Sequence, residues 1–153
     1  MGEKEYFWDS KAKGRQKTNS EFADDVQAFL EPYAIKCVYM DPSAEAFHLE
    51  LRRRGMHVVH ANNDVLNGIS HTCSEMRKGN LFICAECKNT IRQIEGYVWD
   101  NKAAERGEDK PVKVEDDCCD ALRYATYSHK VAVYDPYAHN PVEFMKNKYQ
   151  ITR

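Results

Sequence analysis

The chain has 153 residues, a formal net charge of −2 at pH 7 and 42% hydrophobic residues. This length is enough for one domain with a real core, and the near-neutral charge gives no global basic excess that would indicate nucleic-acid binding. The first ten residues are polar, so we expect no signal peptide, and no apolar run is long enough to cross a membrane. We therefore expect a cytoplasmic protein with reduced thiols and no membrane partner.

The N-terminal part of the chain is predicted to contain a strand, a loop and a helix. Residues 5–8 (EYFW) are typical of a strand, and the basic run at residues 10–17 is typical of a turn or exposed loop. Thr18 and Glu21 have the spacing of a capping box, which predicts the start of a helix. Pro32 is predicted to end that helix.

The next part is predicted to be a strand, a helix and a second strand. Residues 34–40 (AIKCVYM) form a continuous apolar run, which is typical of a strand buried on both faces of a parallel sheet. A helix is predicted from about residue 43 to residue 54, with Gly55 at its C-terminal end. The strand that follows is predicted at residues 56–61.

The third part is predicted to contain two helices, a strand and a loop. Residues 62–64 form a turn that leads into a helix ending near Gly79. A short strand is predicted at residues 81–84, and an amphipathic helix at residues 87–100. The charged segment at residues 101–113 is predicted to be a mobile loop.

The last predicted element is a helix at residues 116–130, followed by a segment with few core residues. We therefore predict one domain over residues 1–130 and a C-terminal tail or linker over residues 131–153. Helices that alternate with apolar strands indicate an α/β layered fold with a largely parallel sheet.

Carboxylates crowd the start of the last helix. Asp116 and Asp120 are four residues apart, and Asp117 and Asp120 are three apart, so each pair lies on one helical face. Like charges placed in this way repel each other, which indicates that a hard divalent cation with oxygen ligands lies between them. The alternative is that acidic residues simply favour a helix N-terminus.

A further carboxylate follows a predicted strand. Asp41 stands at the carboxyl end of residues 34–40, which is where α/β folds place working residues. Taken alone, Asp41 before Pro42 is also a good N-cap with proline at the first helical position. Combined with Asp117 and Asp120, it matches the way metal-dependent nucleases gather carboxylates from distant sequence.

The six cysteines raise the alternative of a small zinc-binding protein. Cys84 and Cys87 have the spacing of one zinc knuckle, but the other pair, Cys118 and Cys119, is adjacent on a helix and chelates poorly. Cys37 lies in an apolar run and is expected to fill the core. We therefore do not predict a structural zinc.

Four segments together carry a family resemblance over roughly residues 5–130: VYMDPSA at 38–44, NDVLNGI at 63–69, YVWD at 97–100, and the acidic segment 116–125 that ends in DALRYA. In order and spacing they resemble the nuclease domain of the large terminase subunit of tailed bacteriophages and prophages. The resemblance implies a ribonuclease-H-like three-layer fold with a mixed, largely parallel sheet. It also implies a two-metal endonuclease that cuts concatemeric double-stranded DNA during capsid packaging.

The resemblance assigns roles to the acidic residues. Asp41 is similar to the second metal-binding Asp of the family and Asp120 to the third. Asp117 falls where many relatives carry a His near the metals, and Asp116 matches a common acidic neighbour. The catalytic candidates are therefore Asp41, Asp117 and Asp120, with Asp116 as a further metal ligand for Mg²⁺ or Mn²⁺.

The resemblance also implies partners. These are double-stranded DNA and, within the packaging motor, the terminase small subunit and the portal protein, in the bacterial host cytoplasm. The candidate DNA contacts are basic residues, for which a solvated surface is the alternative: Lys11, Lys13, Arg15, Lys17, Lys88 and Arg92. Arg123 and Tyr124 are expected to brace the last helix.

The sequence departs from the family in two ways. The family's first catalytic Asp lies on a strand upstream of the matching region, and we do not interpret Asp9 as its replacement. No phosphate-binding loop of an ATPase motor occurs. We therefore expect a C-terminal piece of the large subunit that lacks the first strands and cuts DNA poorly by itself.

Two further functions stay open. One is a catalytically dead prophage remnant that acts as a DNA-binding or assembly module. The other is a different ribonuclease-H-like enzyme, such as a resolvase or transposase, against which the segment DALRY at residues 120–124 argues by resemblance.

Overall fold

A computed structural model describes residues 4–134 of the chain. Within that range the helices and strands, in chain order, are α1 (Ser10–Lys13), α2 (Asn19–Leu30), β1 (Val38–Met40), α3 (Glu45–Arg53), β2 (Val58–His60), α4 (Val65–Arg77), α5 (Lys88–Glu95), α6 (Asn101–Ala104) and α7 (Asp117–Tyr134). No helix among these residues is long and apolar enough to cross a membrane.

The two strands form a parallel pair that brings two loops together. Val38 pairs with Val58 and Met40 with His60, and α3 is the crossover between the strands. Because parallel strands end at the same edge of a sheet, the residues that follow β1 and β2 meet there. We call this the carboxyl edge; Asp41 and residues 61–64 lie on it.

The buried core lies between the sheet and helices α2 and α3. Its buried members come from all of these elements: Ala23, Met40, Leu51 and Val58. Phe22 of α2 packs edge-on against Phe47 of α3, with ring centroids 6.3 Å apart. This packing fixes α3 relative to β2 and therefore fixes the position of the carboxyl edge.

Helix α7 packs against β1, α4 and α5. Two polar contacts set its position: Ser128 Oγ accepts from the backbone N–H of Asn62 at 2.8 Å, and Thr72 and Thr126 hydroxyls bond at 2.8 Å. Ser128 and Thr72 are both buried. The helix is thereby held against the carboxyl edge, and its acidic start lies nearby.

The capping box predicted at the start of α2 is confirmed. Glu21 N–H donates to Thr18 Oγ1 at 3.3 Å, and Thr18 N–H donates to Glu21 Oε2 at 2.8 Å. Helix α2 ends at Leu30, two residues before Pro32. Both signals act within one helical turn, so they do not depend on tertiary contacts.

The strand predicted at residues 5–8 is wrong, and the predicted loop at 10–17 contains the short helix α1. Asp9 caps α1 by accepting from Ala12 N–H at 2.9 Å, and Gly14 closes it with φ 64°. Glu5 accepts from the backbone N–H groups of residues 89 and 90, at 2.9 and 2.8 Å, so Glu5 caps the start of α5 instead of pairing in a sheet.

The strands predicted at residues 34–40 and 56–61 are real but shorter, at Val38–Met40 and Val58–His60. The expectation that the first is buried on both faces is wrong, since Ile35 is 46% exposed and the strand itself is buried only at Met40. The apolar run covers residues 34–40, but only Val38–Met40 have a partner strand. Pairing, and not composition, therefore sets the strand length.

Three later predictions need correction. Residues 81–84 form an isolated bridge at Ile83 and not a strand. The helix predicted at 87–100 ends at Glu95, where Gly96 follows. The predicted loop at 101–113 contains α6, which Asp100 caps and which buries Ala103 completely, and an antiparallel bridge joins Trp99 to Pro111.

The last helix, predicted over residues 116–130, runs from Asp117 to Tyr134. It therefore includes the first four residues of the predicted tail. The rest of that predicted tail or linker, residues 135–153, lies outside the described residues.

Candidate active site

Asp41 directly follows β1 at the carboxyl edge. Its Oδ1 accepts from the backbone N–H of Ser43 at 2.7 Å, and its Oδ2 accepts from the Tyr124 hydroxyl at 2.7 Å. Helix α3 begins only at Glu45, with Ala44 at the N-cap position. The interpretation of Asp41 as a helix cap is therefore wrong: its carboxylate turns toward α7.

Asn63 follows β2 at the same edge and is linked to two residues of α7. Its Oδ1 accepts from the Tyr124 hydroxyl at 3.3 Å and from Arg123 Nη2 at 3.2 Å. Arg123 Nη2 also donates to Asp120 Oδ1 at 2.8 Å. Tyr124 and Arg123 thus connect Asp41, Asn63 and Asp120 in one hydrogen-bond network.

Asn63 is a site residue that was not predicted from the sequence. The available signal was the polar run at residues 62–64, which directly follows the second predicted strand as Asp41 follows the first. The expectation that Arg123 and Tyr124 brace the last helix is incomplete, because it does not include their hydrogen bonds to Asn63 and Asp41. Both side chains are buried, and both bind residues of the carboxyl edge.

The other acidic candidates divide into two groups. Lys113 Nζ lies 2.8 Å from Asp116 Oδ2 and 3.0 Å from Asp120 Oδ2, so these two carboxylates share one cation. Asp117 begins α7 with an exposed side chain, outside the network that joins Asp41 to Asp120. The structure therefore brings Asp41, Asp116 and Asp120 into one connected region and places Asp117 at its margin.

Hydrogen bonds set the protonation states in this network. Donation by Tyr124 and by the Ser43 N–H lowers the pKa of Asp41 below its ordinary value. Burial and the bond to Asp41 raise the pKa of Tyr124 to about 12. Burial opposes the charge of Lys113, but its bonds to Asp116 and Asp120 outweigh burial and raise its pKa. At neutral pH Asp41 is thus ionised and Tyr124 is a hydrogen-bond donor.

We expect Tyr124→Phe to lower the free energy of unfolding by about 1.5–3 kcal/mol at pH 7, since it removes the hydrogen bond from the buried Tyr124 side chain to the charged, half-buried Asp41. The difference from wild type should be present above the unfolded Asp pKa of about 3.9 and lost as the pH falls through the lower folded pKa of Asp41. Urea denaturation from pH 7 to pH 2 measures it. Tyr33→Phe, on the surface, is the control, and a loss independent of pH would contradict the assignment of the bond to Asp41.

The donor atoms at the carboxyl edge are oxygens, from Asp41, Asn63 and Asp120, and oxygen ligands suit Mg²⁺ and Mn²⁺. Lys113 already occupies two of the neighbouring carboxylates, so a metal ion bound by Asp120 would compete with the lysine ammonium. Among residues 4–134, no group of three His, Cys, Asp or Glu ligand atoms within 4.8 Å of one another includes Asp41 or Asp120. The residues fit a divalent ion that takes a further ligand.

The basic run before α2 divides between surface and interior. Lys17 pairs with Asp25, lies 4.0 Å from the centre of the Trp8 ring and is only 10% exposed in its side chain. Arg15 and Lys13 lie farther from the same ring, at 5.4 and 6.0 Å, and both are exposed. Lys17 is therefore part of the fold, whereas Arg15 and Lys13 are accessible to a ligand.

The remaining predicted DNA contacts are on the surface. Lys11 is exposed on α1, and Lys88 is exposed at the first position of α5. Arg92, one turn further along α5, is exposed and pairs with Glu115. These side chains are available for phosphate contacts. For Arg92, a phosphate would replace Glu115 as the anionic partner.

A parallel strand pair with a helical crossover and acidic residues at its carboxyl edge places this chain among the α/β domains that carry working residues at the carboxyl ends of parallel strands. The family model described as the terminase RNaseH-like domain matches residues 10–129. The chain belongs to this family, and the predicted family and fold class are confirmed.

Similar proteins support this assignment. The large terminase subunit of Escherichia phage T5 is 26% identical over 117 residues, which are 74% of this chain and 27% of that protein. The large terminase of a thermophilic bacteriophage superposes with a TM-score of 0.78 at 42% identity, over 80% of this chain and 32% of that one. Its ADP complex has the same TM-score and identity. The chain thus spans about a third or less of the length of these relatives.

Proposed function

We propose that this chain is the nuclease portion of a phage terminase large subunit, which cuts concatemeric double-stranded DNA during genome packaging with divalent metal ions. The observation that carries the proposal is the network in which Tyr124 and Arg123 join Asp41 to Asp120 across 79 positions of sequence. Such a network, in a chain of the terminase family, is suited to holding carboxylates in a fixed arrangement for metal binding.

In this proposal Asp41 and Asp120 hold Mg²⁺ or Mn²⁺ together with an Asp from outside the described residues, and Asp116 and Asp117 serve as additional or tuning ligands. The ions, when bound, lower the pKa of an attacking water and stabilise the departing 3′ oxygen. Tyr124 orients the Asp41 carboxylate through its hydroxyl. Arg123 orients the Asp120 carboxylate, and Lys113 limits the repulsion between Asp116 and Asp120.

The DNA surface in this proposal comprises the exposed basic side chains of α1, α5 and the loop after α1, namely Lys11, Lys13, Arg15, Lys88 and Arg92. These residues meet the phosphate backbone, which positions DNA but carries no sequence information. We therefore expect cleavage with little base preference. The terminase small subunit and the portal protein are the proposed protein partners, in the bacterial host cytoplasm.

The test is nicking of supercoiled plasmid in Mn²⁺, by the 153-residue chain and by a chimera. In this terminase chimera, residues 10–129 replace the matching segment of the large terminase of the thermophilic bacteriophage. We expect metal-dependent cleavage by the chimera. We expect little nicking by the chain alone, because among residues 4–134 no cluster of three His, Cys, Asp or Glu ligand atoms includes Asp41 or Asp120. Cooperative thermal unfolding of the chimera is the folding control.

Two results would decide against parts of this proposal. Robust cleavage by the 153-residue chain would show that a further carboxylate is not needed. A terminase chimera that unfolds cooperatively but does not cut would argue against nuclease activity.

The second candidate is a non-catalytic remnant that acts as a DNA-binding or assembly module. The observation in its favour is that Lys113 already neutralises Asp116 and Asp120, where a metal would be held. Calorimetry separates the two functions: absence of Mn²⁺ binding by the terminase chimera at millimolar concentration favours the remnant.

A further inference from the structure

His48 of α3 is completely buried, and neither of its ring nitrogens has a hydrogen-bond partner in the described part of the chain. A neutral imidazole carries one donor and one acceptor, and burying both without partners is costly. Buried polar side chains are nearly always satisfied, so each exception needs an explanation, such as an ion.

Two further potential ligands surround His48. Glu45 lies one turn earlier on α3, and His60 ends β2. The His48 and His60 rings stack with centroids 4.2 Å apart, and His60 Nε2 lies 3.6 Å from Glu45 Oε2. One ligand atom from each of the three residues lies within 4.8 Å of the other two. Glu45 and His60 are half exposed, which leaves an entry path from solvent.

We propose that Glu45, His48 and His60 bind a transition-metal ion of the Zn²⁺ type, with water at the fourth position. Two imidazole nitrogens and one carboxylate oxygen form a donor set that suits Zn²⁺ and not Mg²⁺. Ligand atoms of tetrahedral zinc are about 3.3 Å apart, so metal binding requires the His48 and His60 rings to turn out of their stacked arrangement until both nitrogen lone pairs meet the ion. We call these three residues the Glu45 site.

The charge state of the Glu45 site favours metal binding. Burial lowers the pKa of His48, and the nearby His60 and Arg52 lower it further, so its imidazole is neutral at pH 7 and has a free lone pair. Arg52 donates to the backbone carbonyl of Val58 at 3.2 Å. The Glu45 carboxylate offers a negative charge to the ion.

The Glu45 site would connect two elements that build the carboxyl edge. His60 pairs with Met40, the residue before Asp41, and Glu45 lies four residues after Asp41. A bound ion fastens the start of α3 to the end of β2 and therefore restrains the loops that carry Asp41 and Asn63. A bound ion would restrain these two elements relative to each other, and the proposal does not depend on the proposed nuclease activity.

The test is addition of Co²⁺ and Zn²⁺ to metal-free 153-residue protein, with visible absorption and thermal unfolding as readouts. We expect one tetrahedral Co²⁺ per chain and a rise in Tm of about 5 °C at a hundredfold excess of Zn²⁺ over Kd. His60→Gln, on a half-exposed residue, should weaken binding by at least about a hundredfold, because it removes a direct ligand and not only an outer-shell partner. His57→Gln, an exposed histidine at the other end of the strand, is the matched control.

His48→Leu tests the buried ligand. The metal-free variant should be at least as stable as wild type, because it removes an unsatisfied polar ring, yet it should lose the Zn²⁺-dependent rise in Tm. Asp120→Asn should keep Co²⁺ binding, which separates this site from the oxygen ligands of the carboxyl edge. Octahedral Co²⁺ spectra, or binding that His60→Gln leaves intact, would overturn the proposal.

Discussion

Asp120→Asn in the terminase chimera should lower the rate of metal-dependent DNA cleavage by at least about a hundredfold. Asparagine keeps an oxygen that can accept from Arg123 Nη2, so the network at the carboxyl edge is preserved. It removes the negative charge that a divalent ion needs. Plasmid nicking at saturating Mn²⁺, with Tm as the check on folding, measures this effect.

The matched control is Asp109→Asn, an exposed acidic residue before α7 that lies outside the hydrogen-bond network. It should cut at the wild-type rate. Asp41→Asn should lose activity as Asp120→Asn does, because both carboxylates are proposed to bind the same ions. Wild-type activity in Asp120→Asn would refute its assignment as a metal ligand.

Asp117→Asn distinguishes the two interpretations of that residue. Since Asp117 is exposed and lies outside the network, a loss smaller than that of Asp120→Asn indicates tuning and an equal loss indicates direct metal binding.

Asp120→Ala should be the most destabilising single change at this edge, with a loss of about 3–5 kcal/mol in the free energy of unfolding. Arg123 is 2% exposed, and its Nε and Nη1 atoms are buried without hydrogen-bond partners among residues 4–134. Alanine at 120 removes the carboxylate that balances this buried charge. Asp120→Asn keeps an acceptor and should lose less. Urea denaturation of the 153-residue chain at pH 7 measures both.

The double variant Asp120→Ala/Arg123→Met tests the reason for this loss. Methionine fills much of the arginine volume without its charge, so most of the stability lost in Asp120→Ala should return. If the double variant were as unstable as the single one, the loss would come from other contacts of Asp120, such as its ion pair with Lys113.

Gly68 shows how closely Arg123 is packed. A Cβ added to Gly68 would lie 2.7 Å from Arg123 Cγ and 2.8 Å from Cδ, so only glycine at this position of α4 leaves room for the arginine stem. In the sequence, this glycine is part of an otherwise ordinary helical pattern. The contact between residues 68 and 123 exists only because α4 and α7 pack together.

Features whose hydrogen bonds and apolar contacts lie within a few residues could be predicted from the sequence. The capping box of Thr18 and Glu21 is confirmed, as is the helix after the turn at 62–64, where Asp64 accepts from Asn67 N–H at 3.1 Å. Asp41 was also correctly placed at the end of a strand. These features can be predicted because the hydrogen-bond donor, its acceptor and the apolar positions lie within one or two helical turns of one another.

The contacts between residues that are distant in sequence depend on the packing of the folded chain and could not be predicted. The lengths of β1 and β2 depend on their pairing. The Asp41 carboxylate faces α7, where the Tyr124 hydroxyl, 83 residues later in the sequence, donates a hydrogen bond to it. His48 and His60 stack only because α3 packs back onto the strand that it precedes. A helix cap depends on residues next to it in the sequence. The contacts of a buried side chain depend on how whole helices and strands pack together.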